Sequence, residues 1–216
     1  MKKNFLFIFA LVITAAGTGL ALYKAPAWEP GPRESYKAFL TSEGVTIAVE
    51  PLYTDKLAAG VFDKKDMITR GIVPFAVVIF NDNAFPVEVS GLDIELINNA
   101  HPDVRIKTMS PNEVTWRLSQ RDKTWRTQRV PRLSQNELDR SMLEDFDNKF
   151  LMNKTVAARG RSGGFLYMHP PEKENTLEFL SGSMFYIPKI HRLDNGSRMI
   201  YFEISLAPAI SKENAD

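Results

Sequence analysis

The stretch Gly71–Phe80 (GIVPFAVVIF) restricts the possible folds more than any other part of the chain. A nearly continuous apolar run of this length predicts a strand with both faces covered, rather than a strand with one solvated face. Pro74 cannot donate a hydrogen bond to a sheet, so we expect it near the strand start or at an edge. The fold must therefore provide packing on both sides of this strand.

Other segments alternate apolar and polar residues and predict further strands. They are 45–49, 86–97, 104–109, 165–168, 177–180, 184–190 and 198–206. The segment 86–97 follows a turn signal at Asn81–Asn83, which predicts a hairpin with the buried strand. In that hairpin Leu92, Ile94 and Leu96 would share the buried face.

Two capping boxes predict helices between the strands. Ser110–Glu113 begins a helix that runs to about Gln120, and Ser134–Glu137 begins an amphipathic helix whose apolar face includes Met142 and Phe146. We therefore predict a mainly β fold, an immunoglobulin-like β-sandwich with a two-helix insertion at about 110–152. A small β-barrel is the alternative.

The N-terminal segment has the composition of an export signal. Lys2 and Lys3 precede the apolar run Phe5–Ala16. The small residues Gly19 and Ala21 would occupy the −3 and −1 positions of a signal peptidase cleavage site. An uncleaved membrane anchor is the alternative, because no charged residue occurs from Asn4 to Tyr23. Residues 1–22 are thus predicted to be a signal peptide or anchor, with a periplasmic or extracellular domain beyond it.

The rest of the chain is predicted to have three parts. Residues 23–40 form a Pro-rich linker, 41–208 the β-sandwich domain and 209–216 a flexible tail. The chain contains no cysteine, which excludes disulfides and lipid attachment through a cysteine. An exported chain without cysteine is more typical of a bacterial envelope than of eukaryotic secretion.

The segment Gly71–Asn81 resembles the pattern G-I-L-P-V-x-V-x-V-x-N of exported or lipid-anchored bacterial proteins of uncharacterised function. Gly164–Tyr167 is similar to part of their later P-G-x-x-x-G-F-x-F segment, although the proline and the lipid-attachment cysteine are missing. The resemblance implies an immunoglobulin-like sandwich in which Asn81 ends a core strand and Gly164 is structural. It implies no catalytic residues.

Gly160–Gly164 (GRSGG) formally matches the G-x-S-x-G motif of serine hydrolases. The motif requires a strand before the serine and a helix after it, but a strand is predicted after Ser162. The candidate bases His101 and His169 lie on predicted loops. A glycine-rich turn accounts for the same residues, so we predict no catalytic residues and keep a serine hydrolase using Ser162 as an alternative.

Metal, nucleotide and nucleic-acid binding have little support in the sequence. The three histidines are far apart and there are no thiolates or phosphate-binding glycine loops, so no metal site, cofactor-binding site or cofactor is predicted. The net charge of +1 would become −1 if a cleaved signal removed Lys2 and Lys3. This charge gives no indication of nucleic acid.

Arginine and tryptophan are concentrated in one segment, 116–132, which contains a single acid, Asp122. This combination is typical of membrane surfaces and of protein interfaces. The alternative is a solvated segment that pairs with the acidic helix after it. The candidate patch for an envelope protein or an anionic membrane surface consists of Trp116, Arg117, Arg121, Trp125, Arg126 and Arg129.

We favour a non-enzymatic cell-envelope protein, a binding or accessory β-sandwich module. Besides the hydrolase, the alternative is a membrane-anchored structural component of an envelope assembly. The sequence does not determine the oligomeric state.

Overall fold

The computed structural model describes residues 25–119, 133–171, 175–199 and 201–210. These residues form strands β1 (Ala38–Ser42), β2 (Val45–Pro51), β3 (Val73–Asn81), β4 (Val87–Ser90), β5 (Glu95–Asn98), β6 (His101–Lys107), β7 (Asn153–Val156), β8 (Arg161–Met168), β9 (Ser183–Ile187), β10 (Ile190–Arg192) and β11 (Phe202–Ser205). The α-helices are α1 (Asp55–Ala59), α2 (Pro111–Ser119), α3 (Leu133–Lys149) and α4 (Thr176–Ser181).

The first layer is an antiparallel sheet in the order β1-β2-β3-β8. All nine residues of β3 are buried, as the apolar run predicts. Phe75, Val77 and Ile79 face one core cluster, whereas Val78 and Phe80 face another on the opposite side of the sheet. Two-sided burial explains why β3 lacks the alternation of a half-solvated strand.

The second layer combines two antiparallel sheets, ordered β10-β4-β7 and β11-β9-β5-β6. A 3₁₀ turn at Gly91–Asp93 joins β4 to β5, and Pro188 and Lys189 join β9 to β10, so two short connections link these sheets. Phe75 of the first layer contacts Phe185 of the second, with ring centroids 4.8 Å apart. The predicted mainly β sandwich is confirmed, and its sheets are open among the described residues.

Helices form a third layer over the outer face of the first sheet. Phe146 of α3 packs against Tyr167 of β8 at 5.4 Å, and Phe62 packs against Phe165 at 5.0 Å. The Tyr167 hydroxyl also donates a hydrogen bond to the Phe146 carbonyl. The predicted insertion with α2 and α3 therefore covers the second face of β3 and β8.

The predicted hairpin between β3 and the next strand is wrong. β3 pairs with β2 and β8, whereas β4 pairs with β7 and β10 in the other layer. The turn after Asn81 carries the chain from one layer to the other. Leu92, expected on a buried face, lies in the 3₁₀ turn and is 51% exposed.

The segment before β1 packs on the first sheet, although the sequence predicts a linker over 23–40. The Trp28 ring lies 4.7 Å from that of Phe165, and buried Tyr36 packs on Phe80. Arg33 forms an ion pair with Asp82 at 2.7 Å. The aromatic rings gain apolar burial by covering the sheet, which an extended solvated linker would not.

Among the described residues, no helix is long and apolar enough to cross a membrane. The predicted signal or anchor, residues 1–22, lies outside them.

Candidate functional site

Helix α2 presents two residues of the predicted arginine and tryptophan patch. Its capping box is formed: the Ser110 N–H donates to Glu113 Oε2 at 2.7 Å, and the Glu113 N–H donates to Ser110 Oγ at 3.3 Å. Val114 and Leu118 point into the core, so helical spacing leaves Trp116 63% exposed. Arg121, Trp125, Arg126 and Arg129 lie outside the described residues.

Trp116 and Arg117 form one wall of a surface cleft of about 640 Å³, which we call the Trp116 cleft. Its volume falls in the range of small-ligand sites. Its other walls come from the loop before β3 and from the segment between β8 and α4. The remaining lining residues are Ile68, Thr69, Arg70, Gly71, Val73, Pro170, Pro171 and Thr176.

His169 connects two walls of the cleft. Its Nδ1 lies 2.6 Å from the Gly71 carbonyl oxygen, and its Nε2 lies 3.4 Å from Arg117 Nη1. A carbonyl only accepts and a guanidinium only donates, so both contacts require the neutral tautomer protonated on Nδ1. The ring thereby fixes Arg117 relative to the loop before β3.

Gly71 is required where it contacts His169. Its φ of +73° lies in the left-handed region, and a Cβ there would be 2.8 Å from His169 Cε1. Only glycine can adopt this φ and leave room for the His169 ring without strain. This residue opens the predicted strand motif, and its role in the cleft is not visible in the sequence.

The described lining is cationic. It includes the guanidinium groups of Arg70 and Arg117 but no carboxylate. Arg70 Nε donates to Asp66 at 2.6 Å, outside the lining, so part of its charge is neutralised. Hydrogen bonds from Ser110 lower the pKa of Glu113, and the nearby Arg117 charge adds to the effect. The cleft therefore suits an anionic group beside an apolar one.

The structure does not bring Ser162 and His169 together. Ser162 lies within β8 opposite Ile79, whereas His169 follows the other end of the same strand. Seven residues of extended chain separate them by about 23 Å. His101 lies on β6 in the other layer. The strand around Ser162 also lacks the strand-to-helix turn of a nucleophile elbow.

No group of three His, Asp or Glu side chains that could hold a metal ion occurs in the described part of the chain. The sequence-based expectation of no metal and no cofactor stays a prediction.

Asn81 and Gly164, the two residues noted in the resemblance, have structural contacts. Asn81 ends β3 and is buried, and its Nδ2 donates to the carbonyls of Phe85 at 2.8 Å and Ala157 at 3.0 Å. Gly164 passes close to another backbone segment, since a Cβ there would lie 2.9 Å from the Lys149 carbonyl oxygen. Both residues thus hold chain segments around the first sheet.

Sequence reasoning missed the walls of the cleft formed by Gly71 and the Pro170–Pro171 pair, and the role of His169 in joining them to Arg117. The proline pair, directly after a strand and a histidine, was a local signal of a rigid turn. No local signal placed it beside α2, because that contact joins segments distant in sequence.

Comparisons with known proteins add little. No family model matches the chain, and no curated protein sequence is similar to it. The yjhA protein of Bacillus subtilis shares 9% identity with a TM-score of 0.36, over 70% of this chain and 78% of that one. The ycdA protein of Bacillus subtilis subsp. subtilis str. 168, a "putative lipoprotein", shares 11% identity with a TM-score of 0.39, over 82% of this chain. This chain spans 40% of the length of ycdA. Overlaps of this size carry no argument about function.

Proposed function

We propose that the protein is an exported, non-enzymatic envelope module that binds an acidic segment of another envelope protein in the Trp116 cleft. The observation that carries the proposal is an exposed tryptophan beside an oriented arginine in a preformed concave site. Tryptophan and arginine supply much of the binding energy at protein interfaces.

The charge of the cleft favours an acidic partner. Arg70 and Arg117 line it without any described carboxylate, and a carboxylate can accept two parallel hydrogen bonds from a guanidinium. Electrostatic attraction would also accelerate association.

The shape of the cleft favours a protruding polypeptide over a lipid surface. A concave site buries an inserted segment on several sides, whereas a flat bilayer would meet only its rim. Trp116 and the proline pair offer rigid apolar surface to such a segment. Rigid side chains lose little conformational entropy on binding, which favours affinity.

The first test is photo-crosslinking in intact cells that produce the full chain. A photoreactive amino acid at Thr176 lies in the cleft wall while leaving Trp116 in place. We expect a discrete adduct with another envelope protein, and no such adduct from position Leu193, which is exposed elsewhere. Equal adducts from both positions would contradict a specific site.

The second test removes the recognition groups. We expect Trp116→Ala and Arg117→Glu each to reduce the Thr176 adduct about tenfold or more, as for interface hot spots. Leu92→Ala, an exposed apolar residue outside the cleft, is the matched control. Sedimentation with anionic and neutral phospholipid vesicles completes the test. Binding to anionic vesicles that Arg117→Glu abolishes, with no protein adduct, would assign the cleft to lipid instead.

Export and the absence of catalysis are tested separately. The basic start and apolar run Phe5–Ala16 support export, so we expect the protein in the envelope fraction and its N-terminal residue to distinguish cleavage from anchoring. A fluorophosphonate probe is expected to leave the folded protein unlabelled. Labelling of Ser162 would replace the binding module with a hydrolase.

A further inference from the structure

The outer face of the sheet β11-β9-β5-β6 carries an aromatic pair where a solvated strand face usually carries polar residues. Leu96 and Phe185, which lie opposite each other on β5 and β9, point into the core and are fully buried. By alternation, their neighbours Glu95 and Tyr186 point outward. The Tyr186 ring lies 6.0 Å from the ring of Tyr201, which is 51% exposed. The two rings thus present apolar surface to solvent.

Tyr186 also lines a cleft of about 300 Å³, which we call the Tyr186 cleft. Leu92 and Pro188 add apolar surface to this cleft, and Lys107 and Arg198 add positive charge. Its volume is at the lower end of the range for small-ligand sites, which combine apolar walls with a few polar groups. The cleft shares no lining residue with the Trp116 cleft, so it is a separate candidate site.

The acids of the Tyr186 cleft are already paired, whereas two of its cations are not. The ion pairs are Asp93–Lys189 at 3.1 Å and Glu95–Arg105 at 2.6 Å. Arg198 donates to the Pro188 carbonyl at 2.6 Å, which orients its guanidinium at the cleft. In the part of the chain that the structure describes, neither Lys107 nor Arg198 forms an ion pair with a carboxylate. The cleft thus retains two positive charges that an anionic ligand would neutralise.

We propose that the Tyr186 cleft and the neighbouring Tyr201 ring bind an acidic saccharide, a chain of sugars that carries carboxylate groups. The face of an aromatic ring is electronegative, so it attracts the partly positive C–H groups of a sugar ring stacked on it. A carboxylate on the same sugar would accept charge-assisted hydrogen bonds from Lys107 and Arg198. A stacking surface directly beside cations without partners therefore matches a sugar with a carboxylate.

The other polar groups on this face favour a saccharide over an acidic peptide. Glu203 lies opposite Tyr186 on β11 and is exposed, and Glu95 lies opposite Tyr186 on β5. Tyr186 therefore has a carboxylate on each side in the same row of the sheet. A sugar has hydroxyl groups that donate to these carboxylates, in addition to its own carboxylate for the cations. An acidic side chain of a peptide has only acceptors.

Binding of uronate oligosaccharides to the protein produced from the full chain tests the ligand class. The probes are short oligomers of galacturonate, mannuronate and hyaluronan, each compared by calorimetry with its methyl ester, which keeps the sugar and removes the charge. We expect at least one acid to bind about tenfold more tightly than its ester. Absence of binding by all three acids, equal binding of the esters, or tighter binding of an oligoglutamate peptide would overturn the proposal.

Substitutions then locate the site. Tyr201→Ala is expected to reduce the affinity for the acid about tenfold, because it removes a stacking ring. Lys107→Glu and Arg198→Glu should each abolish the preference for the acid over its ester. The matched controls are Phe39→Ala, which removes a 50% exposed ring on β1, and Lys56→Glu, which reverses an exposed charge on α1. Unchanged binding in Tyr201→Ala, or equal losses in the controls, would refute the site. Thermal melting checks that each variant is folded.

Discussion

Gly71 links backbone conformation to the geometry of the Trp116 cleft. Its carbonyl accepts the His169 hydrogen bond, and its left-handed φ directs that carbonyl to the ring. Gly196 has nearly the same φ, +70°, but nothing lies within 4 Å of the position of its Cβ. Substituting each glycine by alanine therefore distinguishes the cost of backbone strain, common to both sites, from the cost of disturbing His169, which arises only at Gly71.

We expect Gly196→Ala to cost about 1 kcal/mol of unfolding free energy, the strain of a left-handed alanine. Gly71→Ala should cost about 1 kcal/mol more, because His169 must move and its hydrogen bond is lost. Denaturant unfolding measures both values. Gly71→Ala should also reduce the Thr176 photo-adduct. Equal stability and equal adducts for the two variants would show that His169 does not organise the cleft.

Tyr167 completes the hydrogen bonding at the end of α3. The Phe146 carbonyl lies in the last turn of the helix, and the Tyr167 hydroxyl donates to it at 3.0 Å. We expect Tyr167→Phe to cost about 1–2 kcal/mol, because a buried hydrogen bond is lost. Tyr201→Phe, on a half-exposed ring, is the control and should change the unfolding free energy little. Equal losses would contradict the capping role.

At the scale of elements, the cap of α2, the helix that carries Trp116 and Arg117, makes the stability of the protein dependent on pH. Hydrogen bonds from Ser110 lower the pKa of Glu113 in the folded protein. Between the two pKa values, the unfolded chain therefore binds more protons than the folded protein. The ionised Glu113 cap stabilises the fold at pH values above the pKa of Glu113 in the unfolded chain. This stabilisation is lost as the pH falls through the pKa of Glu113 in the folded protein. Because Glu113 is solvent-exposed, we expect an effect below about 1 kcal/mol.

The measurement compares the parent with Glu113→Gln by denaturant unfolding at pH 7 and in acid. The parent should be more stable at pH 7, and the difference should shrink as Glu113 is protonated. In a Ser110→Ala background the difference should be smaller throughout, since the side-chain hydrogen bond is missing. A difference independent of pH would argue against an ionised cap.

The elements show what the sequence can and cannot predict. The apolar run of β3 and the Ser110 cap depend on residues close in sequence, so their patterns predicted them. The partners of β3 depend on packing between distant segments, and the turn at Asn81 has the same composition whether the chain makes a hairpin or crosses between layers. Helical spacing placed Trp116 on α2, but its neighbours across the cleft come from two other parts of the chain.

At the scale of the whole molecule, the segment before β1 closes the outer face of the first sheet beside the helices. Trp28 contacts Phe165, Tyr36 covers Phe80, and Arg33 is paired with Asp82. Whether the N-terminal segment is cleaved or retained, this packing holds the chain on the sheet from Trp28 onward.

This packing predicts opposite behaviour for two tryptophans of the same chain. Trp28→Ala should cost about 2–3 kcal/mol, because a large ring leaves a packed position, and tryptic cleavage after Arg33 should become about tenfold faster. Trp116→Ala removes an exposed ring and should leave both stability and cleavage nearly unchanged while reducing partner binding. Equal cleavage of the parent and Trp28→Ala would mean that Tyr36 and Arg33 hold the segment without Trp28. Loss of stability in Trp116→Ala would mean that this residue supports the fold, and its effect on binding would then be indirect.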